Sequence, residues 1–382
     1  MLTHRPVAVV DDPPLTEELL AMAATPNPVA PTRNLVIVAG SGRSGTSLMS
    51  GILRHMGLHV PEPEVVADRS NPKGFGEPQW VVDFHDTLLH RVNVHAGDAR
   101  PGAWFDAGRA GTREWNRSDL AAWLQQQFAV SDSLVVKDPR ISWFLGMWRV
   151  AAVRCGASTS TITMLRHPAE VVGSKNTYYG GKLGDISRLA GWTNMMLFTE
   201  RATRSSPRSY VRYHDLLADW TSSVVRVGEE LDIEPIQHAG TRAMQEIHQF
   251  VDPQLHRVRA SWMDLAVPPA LREIAEETWS QLNLLVEPGE TEQAAVHASL
   301  DELRRAYGDL YAQAEALAGS SIEAAGPAFL RSTRRARAEE AEAAAQAAYD
   351  ASSPMRRLYL RTRRFVGRVV RRIDRLAGPK EV

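Results

Sequence analysis

VIVAGSGRSGTSLMSGIL, residues 36–53, passes from an apolar, β-branched run through a glycine-rich turn into a helical pattern. Strand, tight turn and helix N-terminus in that order outline a phosphate-binding loop, because the backbone N–H groups of the turn and of the helix start all point at one anion. Against the triphosphatase pattern G-x-x-x-x-G-K-[ST], Gly40 and Gly45 hold the glycine positions and Ser47 the hydroxyl, but Thr46 stands where the lysine belongs. In kinases and ATPases that lysine reaches the β- and γ-phosphates. Thr46 cannot supply its charge, and Arg43 places a cation on the other side of the turn.

Short apolar runs at 35–38, 134–136, 161–165 and 210–213 are separated by longer helix-like segments. That alternation predicts an α/β fold with a parallel sheet flanked by helices. Two of the runs end in polar clusters, KDPR at 137–140 and RHP at 166–168. Ligands of such sheets collect beyond the carboxyl ends of the strands, so these clusters and the loop can converge on one site. From about Asp215 the spacing of Leu216, Leu217, Trp220, Val224, Val227 and Leu231 is helical. Gly319 and Pro327 bound a stretch with the look of a linker, followed by EEAEAAAQAAYDA at 339–351, a helix by composition, and an arginine-rich end. The expected organisation is a leader at 1–33, a main domain at 34–318, a linker and Ala/Glu-rich helix at 319–353 and a basic tail at 354–382.

A chain of 382 residues, 44% hydrophobic, can bury a full core. With 23% charged residues and a net charge of −1, it shows no whole-chain attraction to nucleic acid, and any basic surface must be local. The single Cys155 cannot pair within the chain, which suits a reducing compartment, and nothing around it suggests an activated nucleophile. Acids and prolines fill the first thirty or so residues without an apolar core of signal-peptide length, and no later stretch approaches the roughly 20 apolar residues that span a bilayer. A cytoplasmic protein is the expectation. His55, His59, His90 and His95 follow no metal-ligand spacing, and no metal is expected. Trp104, Trp115, Trp123, Trp143 and Trp148 could stack on sugars but fit core positions better.

Four segments together resemble the sulfotransferases that use 3′-phosphoadenosine 5′-phosphosulfate (PAPS). GSGRSGTSLM is similar to their 5′-phosphosulfate loop, in the form found in tyrosylprotein and bacterial enzymes. LRHPAEVVGS resembles the 3′-phosphate element, an arginine at a strand end with a serine eight positions later, here Arg166 and Ser174. VVKDPR and VRYHDLL resemble the KDP and RYEDL segments, and the order along residues 35–217 is the family's. The resemblance implies PAPS as donor, adenosine 3′,5′-bisphosphate (PAP) as product, and a carbohydrate or glycolipid hydroxyl as acceptor. It implies that Gly42, Arg43, Ser44, Gly45, Thr46 and Ser47 hold the 5′-phosphate, with Arg43 also at the bridging oxygen. Arg166 and Ser174 would take the 3′-phosphate, Tyr213 would flank it or serve as a core tyrosine, and Lys137 would reach the sulfuryl group or bridging oxygen, or else pair with the adjacent Asp138 at the strand end.

Sulfuryl transfer needs a group that removes the acceptor's proton. NPKGFGE at 71–77 resembles the NPxGxxE segment that carries a glutamate into the acceptor pocket, which makes Glu77 the candidate base; His85, near Asp83, is its rival. Glu77 could instead be a first-turn acid of the following helix. Gly76 departs from the family pattern, which often has an aromatic before the glutamate. A nucleotide kinase and a noncatalytic scaffold with a degenerate loop are the other readings, set against by Thr46 and by the joint presence of Arg43, Glu77 and Lys137.

In the tail, Met355, Leu358, Tyr359, Phe365, Val366, Val369, Ile373 and Leu376 recur at helical spacing among arginines. This is the pattern of a basic amphipathic helix, suited to an anionic membrane surface or to the enzyme's own body. No nucleic-acid-binding fold accompanies it.

Overall fold

The computed structural model describes residues 33–350 apart from 181–182, 253, 255–257 and 288–291. The expected leader, except Arg33, and the basic tail at 354–382 lie outside the described residues. In chain order the elements are β1 (Arg33–Ala39), α1 (Thr46–His55), α2 (Gln79–Arg91), α3 (Ala103–Gly111), α4 (Glu114–Phe128), β2 (Ser133–Lys137) and a 3₁₀ turn (Pro139–Phe144). Then come α5 (Leu145–Arg154), β3 (Ala157–Leu165), α6 (Pro168–Tyr179), α7 (Asp185–Thr203) and β4 (Arg208–Arg212). The remaining helices are α8 (Tyr213–Ala218), α9 (Trp220–Glu230), α10 (Glu234–Gln237), α11 (Thr241–Phe250), α12 (Pro269–Asn283) and α13 (Glu292–Asp350).

Among the described residues four strands form one parallel sheet in the order β2-β1-β3-β4. β1 is central, with Val36 opposite Val135 on one side and Ser160 on the other. Its run is uniformly apolar because both faces are covered, as parallel sheets require. Leu35, Ile37 and Ala39 pack into a cluster with Val81, Leu88, Leu124 and Trp148 from α2, α4 and α5. Val36 and Val38 face the other way, onto Met49, Ile52 and Leu53 of α1 and Val224 and Val227 of α9. After β1 the chain moves to β2 on one side and then crosses to β3 on the other. The carboxyl end of β1 is therefore the switch point where such sheets bind ligands, and the glycine-rich loop leaves β1 there.

The run expected as a strand at 210–213 ends at Arg212, and Tyr213 is already the first residue of α8. Residues 319–327, expected as a linker, are helical within α13. Their alanine-rich surroundings favour helix strongly enough to carry Gly319 and Pro327. The chain divides after Tyr311 into two compact units. In the first, Tyr307 donates its hydroxyl to the carbonyls of Ala99 and Ala190, fixing the early turns of α13 to the domain. The second comprises, among the described residues, the remainder of α13. Among the described residues no helix is long and apolar enough to cross a membrane.

Candidate active site

Gly45 caps α1 at φ 91°. A side chain there would suffer twice, because φ is left-handed and a Cβ would lie 2.3 Å from Cδ2 of Tyr213. The loop and the Tyr213 ring are thus fitted face to face. Arg43 also sits at positive φ, 76°, a conformation that costs a non-glycine residue about 1 kcal/mol or more and collects at functional sites.

Around this loop lies a cavity of about 620 Å³. Gly42, Arg43, Gly45, Thr46, Ser47, Glu77, Lys137, Arg166, Ser174 and Tyr213 all line it. The structure brings together residues separated by up to 171 positions, from Gly42 to Tyr213. Ser44 is the exception: it is fully buried behind the loop, and its Oγ has no hydrogen-bond partner among the described residues. Only its backbone is placed to serve the loop.

Lys137 is at the last position of β2, and its Nζ donates to the Ser47 hydroxyl at 3.2 Å and forms a close ion pair with Oε1 of Glu77. The charge absent at Thr46 thus reaches the loop from the neighbouring strand. Both partners are nearly buried, Lys137 at 2% exposure and Glu77 at 8%. A buried pair seldom adds net stability, because desolvation offsets the attraction, so stability alone does not account for its presence in the cavity. Glu77 is not a first-turn acid: α2 starts at Gln79 after Pro78, and the carboxylate points to Lys137. Gly76 adopts φ 63°, and a Cβ on it would come 2.7 Å from Oγ of Ser50. The left-handed φ and that contact together strain any side chain at this position.

His85, the rival candidate, lies away from the cavity. It is completely buried and absent from the cavity lining, with Nδ1 2.7 Å from Oδ2 of Asp138 and Nε2 accepting from the Trp148 indole at 2.9 Å. Because Nε2 accepts, Nδ1 carries the proton and donates it to Asp138. Asp138 also accepts from the backbone N–H and the guanidinium of Arg140. Burial pushes the Asp138 carboxyl up, but the hydrogen bond from His85, the Arg140 charge and the Arg140 backbone N–H outweigh it and hold it below the usual carboxylate range. The network fastens α2, just beyond Glu77, to the segment just beyond Lys137.

On the β3 side, Arg43 Nε donates to Oγ of Ser174 at 3.0 Å, and its guanidinium lies 4.4 Å from the centre of the Tyr178 ring. Arg166 donates to the Arg43 carbonyl at 3.0 Å and to the Val258 carbonyl at 2.8 Å, is paired with Glu170, and stacks 4.8 Å from the Tyr213 ring. Arg43 therefore links the two ends of the site. Sequence reading missed Lys175 and Arg188, which also line the cavity. Lys175 Nζ donates to Oγ of Ser41 at 3.0 Å, and burial together with the Arg188 charge pushes its ammonium down to about 8. Neither residue belongs to a motif; α6 and α7 carry them in. Among the described residues the lining holds seven lysines and arginines against the acids Glu77 and Asp252, a balance made for a polyanion. None of the five tryptophans considered above lines it. Among the described residues no group of three His, Cys, Asp or Glu could hold a metal ion.

Among the solved structures that this chain matches are sulfotransferases. The sulfotransferase domain of the Synechococcus PCC 7002 olefin synthase is 18% identical, over 68% of this chain and 98% of that one, with a TM-score of 0.40. Sulfotransferase STF1 from Mycobacterium tuberculosis H37Rv is 15% identical over 65% and 76%, at a TM-score of 0.36. Sulfotransferase STF9 from Mycobacterium avium is 15% identical over 70% and 79%, also at 0.36. No family model matches the chain, and no curated protein matches it.

Proposed function

We propose that the protein transfers a sulfuryl group from PAPS to a hydroxyl, on a carbohydrate or glycolipid, and releases PAP. The observation that carries this reading is the placement of Lys137, paired with Glu77, against Ser47 of a loop that lacks its own lysine. A triphosphate site needs loop lysine and Mg²⁺ together. A phosphosulfate carries less charge at the transferring group, and fixed cations suffice.

The donor set fits PAPS. Backbone N–H groups of the loop and the α1 N-terminus suit the 5′-phosphate, and Arg166 with Ser174 suits the 3′-phosphate. The acceptor oxygen attacks sulfur while the bond from sulfur to the bridging oxygen breaks. Glu77 takes the hydroxyl proton, and Lys137 and Arg43 stabilise the negative charge left on the phosphate oxygen. With reactants held in line, positioning supplies much of the acceleration. Phe75 and Tyr179 on the wall, beside Asn71 and His95, offer the aromatic and polar surfaces that a sugar uses.

Incubation with PAPS labelled in the sulfuryl group and a panel of glycans, glycolipids and small phenols tests the reading. Label should pass to a glycan or glycolipid with stoichiometric release of PAP. Transfer confined to phenols would overturn the acceptor class, and absence of transfer to every acceptor would count against the activity.

A further inference from the structure

Lys175 and Arg188 have no carboxylate partner among the described residues. Arg188 is 7% exposed; it donates through Nε to the Leu183 carbonyl at 2.9 Å and through Nη2 to the Gly180 carbonyl, while its buried Nη1 has no hydrogen-bond partner among the described residues. Among the described residues, the one hydrogen bond of the Lys175 ammonium is to the Ser41 hydroxyl. Two neighbouring cations on a cavity wall without a counter-ion are costly in the free protein, and an incoming anion relieves that cost.

The anions of the donor already have their groups: the loop and Arg43 for the 5′-phosphate, Arg166 and Ser174 for the 3′-phosphate, and Lys137 for the sulfuryl group. Arg188 comes from α7, outside all of these elements, whereas Lys175 follows Ser174 on α6 and meets the loop through the Ser41 hydroxyl, so the pair adjoins the donor groups without being one of them. Helix α7 is tied to the segment after His95 by Asn194, which donates to the carbonyls of Asp98 and Arg100 at 2.9 and 3.1 Å. Met195 of α7 and Ala96 and Gly97 of that segment form cavity wall. We propose that Lys175 and Arg188 form a separate anion subsite that binds a carboxylate, phosphate or sulfate group carried by the acceptor itself. Resting on the sulfotransferase reading, this narrows the acceptor to hydroxyl compounds that are already anionic, such as acidic sugars.

The test is calorimetric titration of glucuronate and of glucose into the protein alone and into the protein saturated with PAP. Glucuronate should bind the PAP-saturated protein at least about tenfold more tightly than glucose, the scale of one charge-assisted hydrogen bond. Lys175→Met should weaken glucuronate by about tenfold or more and leave PAP affinity unchanged, whereas Lys175→Arg should keep both. Equal binding of the two sugars, or a Lys175→Met protein that loses PAP affinity and keeps glucuronate, would overturn the subsite and give the pair to the donor. Failure of PAP to bind the wild-type protein would remove the donor reading instead; the same comparison of sugars and variants in the protein alone then decides the subsite.

Discussion

Lys137 and Glu77 meet across 60 positions of sequence, and each gives the other a defined place at the loop. If Lys137 and Arg43 oppose charge that develops during transfer, Lys137→Ala and Arg43→Ala should each lower turnover by about 10²–10³, measured as label transfer at saturating donor. Glu77→Gln should lower it by about 10²–10⁴ with PAP affinity little changed, as expected for loss of a general base. A Glu77→Gln enzyme with normal turnover would end that role. Motif spacing made most of these residues legible, because a turn that bends around an anion restricts both residue type and interval. It misled at Ser44, whose hydroxyl is turned into the protein, since the sequence of a loop does not say which side chains point inward. Lys175 and Arg188 gave no signal at all: a lysine after Ser174 and an arginine in the first turns of α7 look like solvated charges until the fold carries them to the cavity.

At the scale of elements, α2 and the end of β2 act as one piece because His85 joins them. Its two ring nitrogens satisfy Asp138 and Trp148 in a fully buried setting. His85→Leu would leave the Asp138 carboxylate without that partner and the Trp148 N–H without an acceptor. A buried polar group left without its hydrogen-bond partner typically costs about 1–3 kcal/mol, so urea unfolding of this variant should show a loss of that order. A shift below about 1 kcal/mol would mean that Arg140 alone satisfies Asp138. The strands themselves were readable because burial of both sheet faces demands unbroken apolar runs. Tyr213 was read as strand because tyrosine suits both states, and the turn into α8 is set by its packing on Gly45. Gly319 and Pro327 suggested a linker for local reasons, whereas α13 takes its helicity from the alanine-rich residues on either side.

For the whole molecule, net charge conceals what matters. A chain with a formal charge of −1 concentrates, among its described residues, seven cationic side chains around one cavity, and only the fold reveals that concentration. The arginine-rich stretch after Ser353 is proposed, on its sequence pattern, to hold the enzyme at an anionic lipid surface, each basic residue adding about 1 kcal/mol. Protein truncated after Ser353 should then fail to sediment with anionic vesicles while still binding PAP; equal sedimentation of the two forms would remove the membrane role. The central claim is that the cavity holds a 3′-phosphorylated nucleotide without metal, and thermal unfolding with PAP or ATP, each with and without Mg²⁺, tests it most directly. PAP at about 100 times its Kd should add about 2.7 kcal/mol of stability and raise Tm equally with and without Mg²⁺, while ATP does little. A Tm rise that requires ATP and Mg²⁺ together, with none from PAP, would contradict the account and favour a kinase.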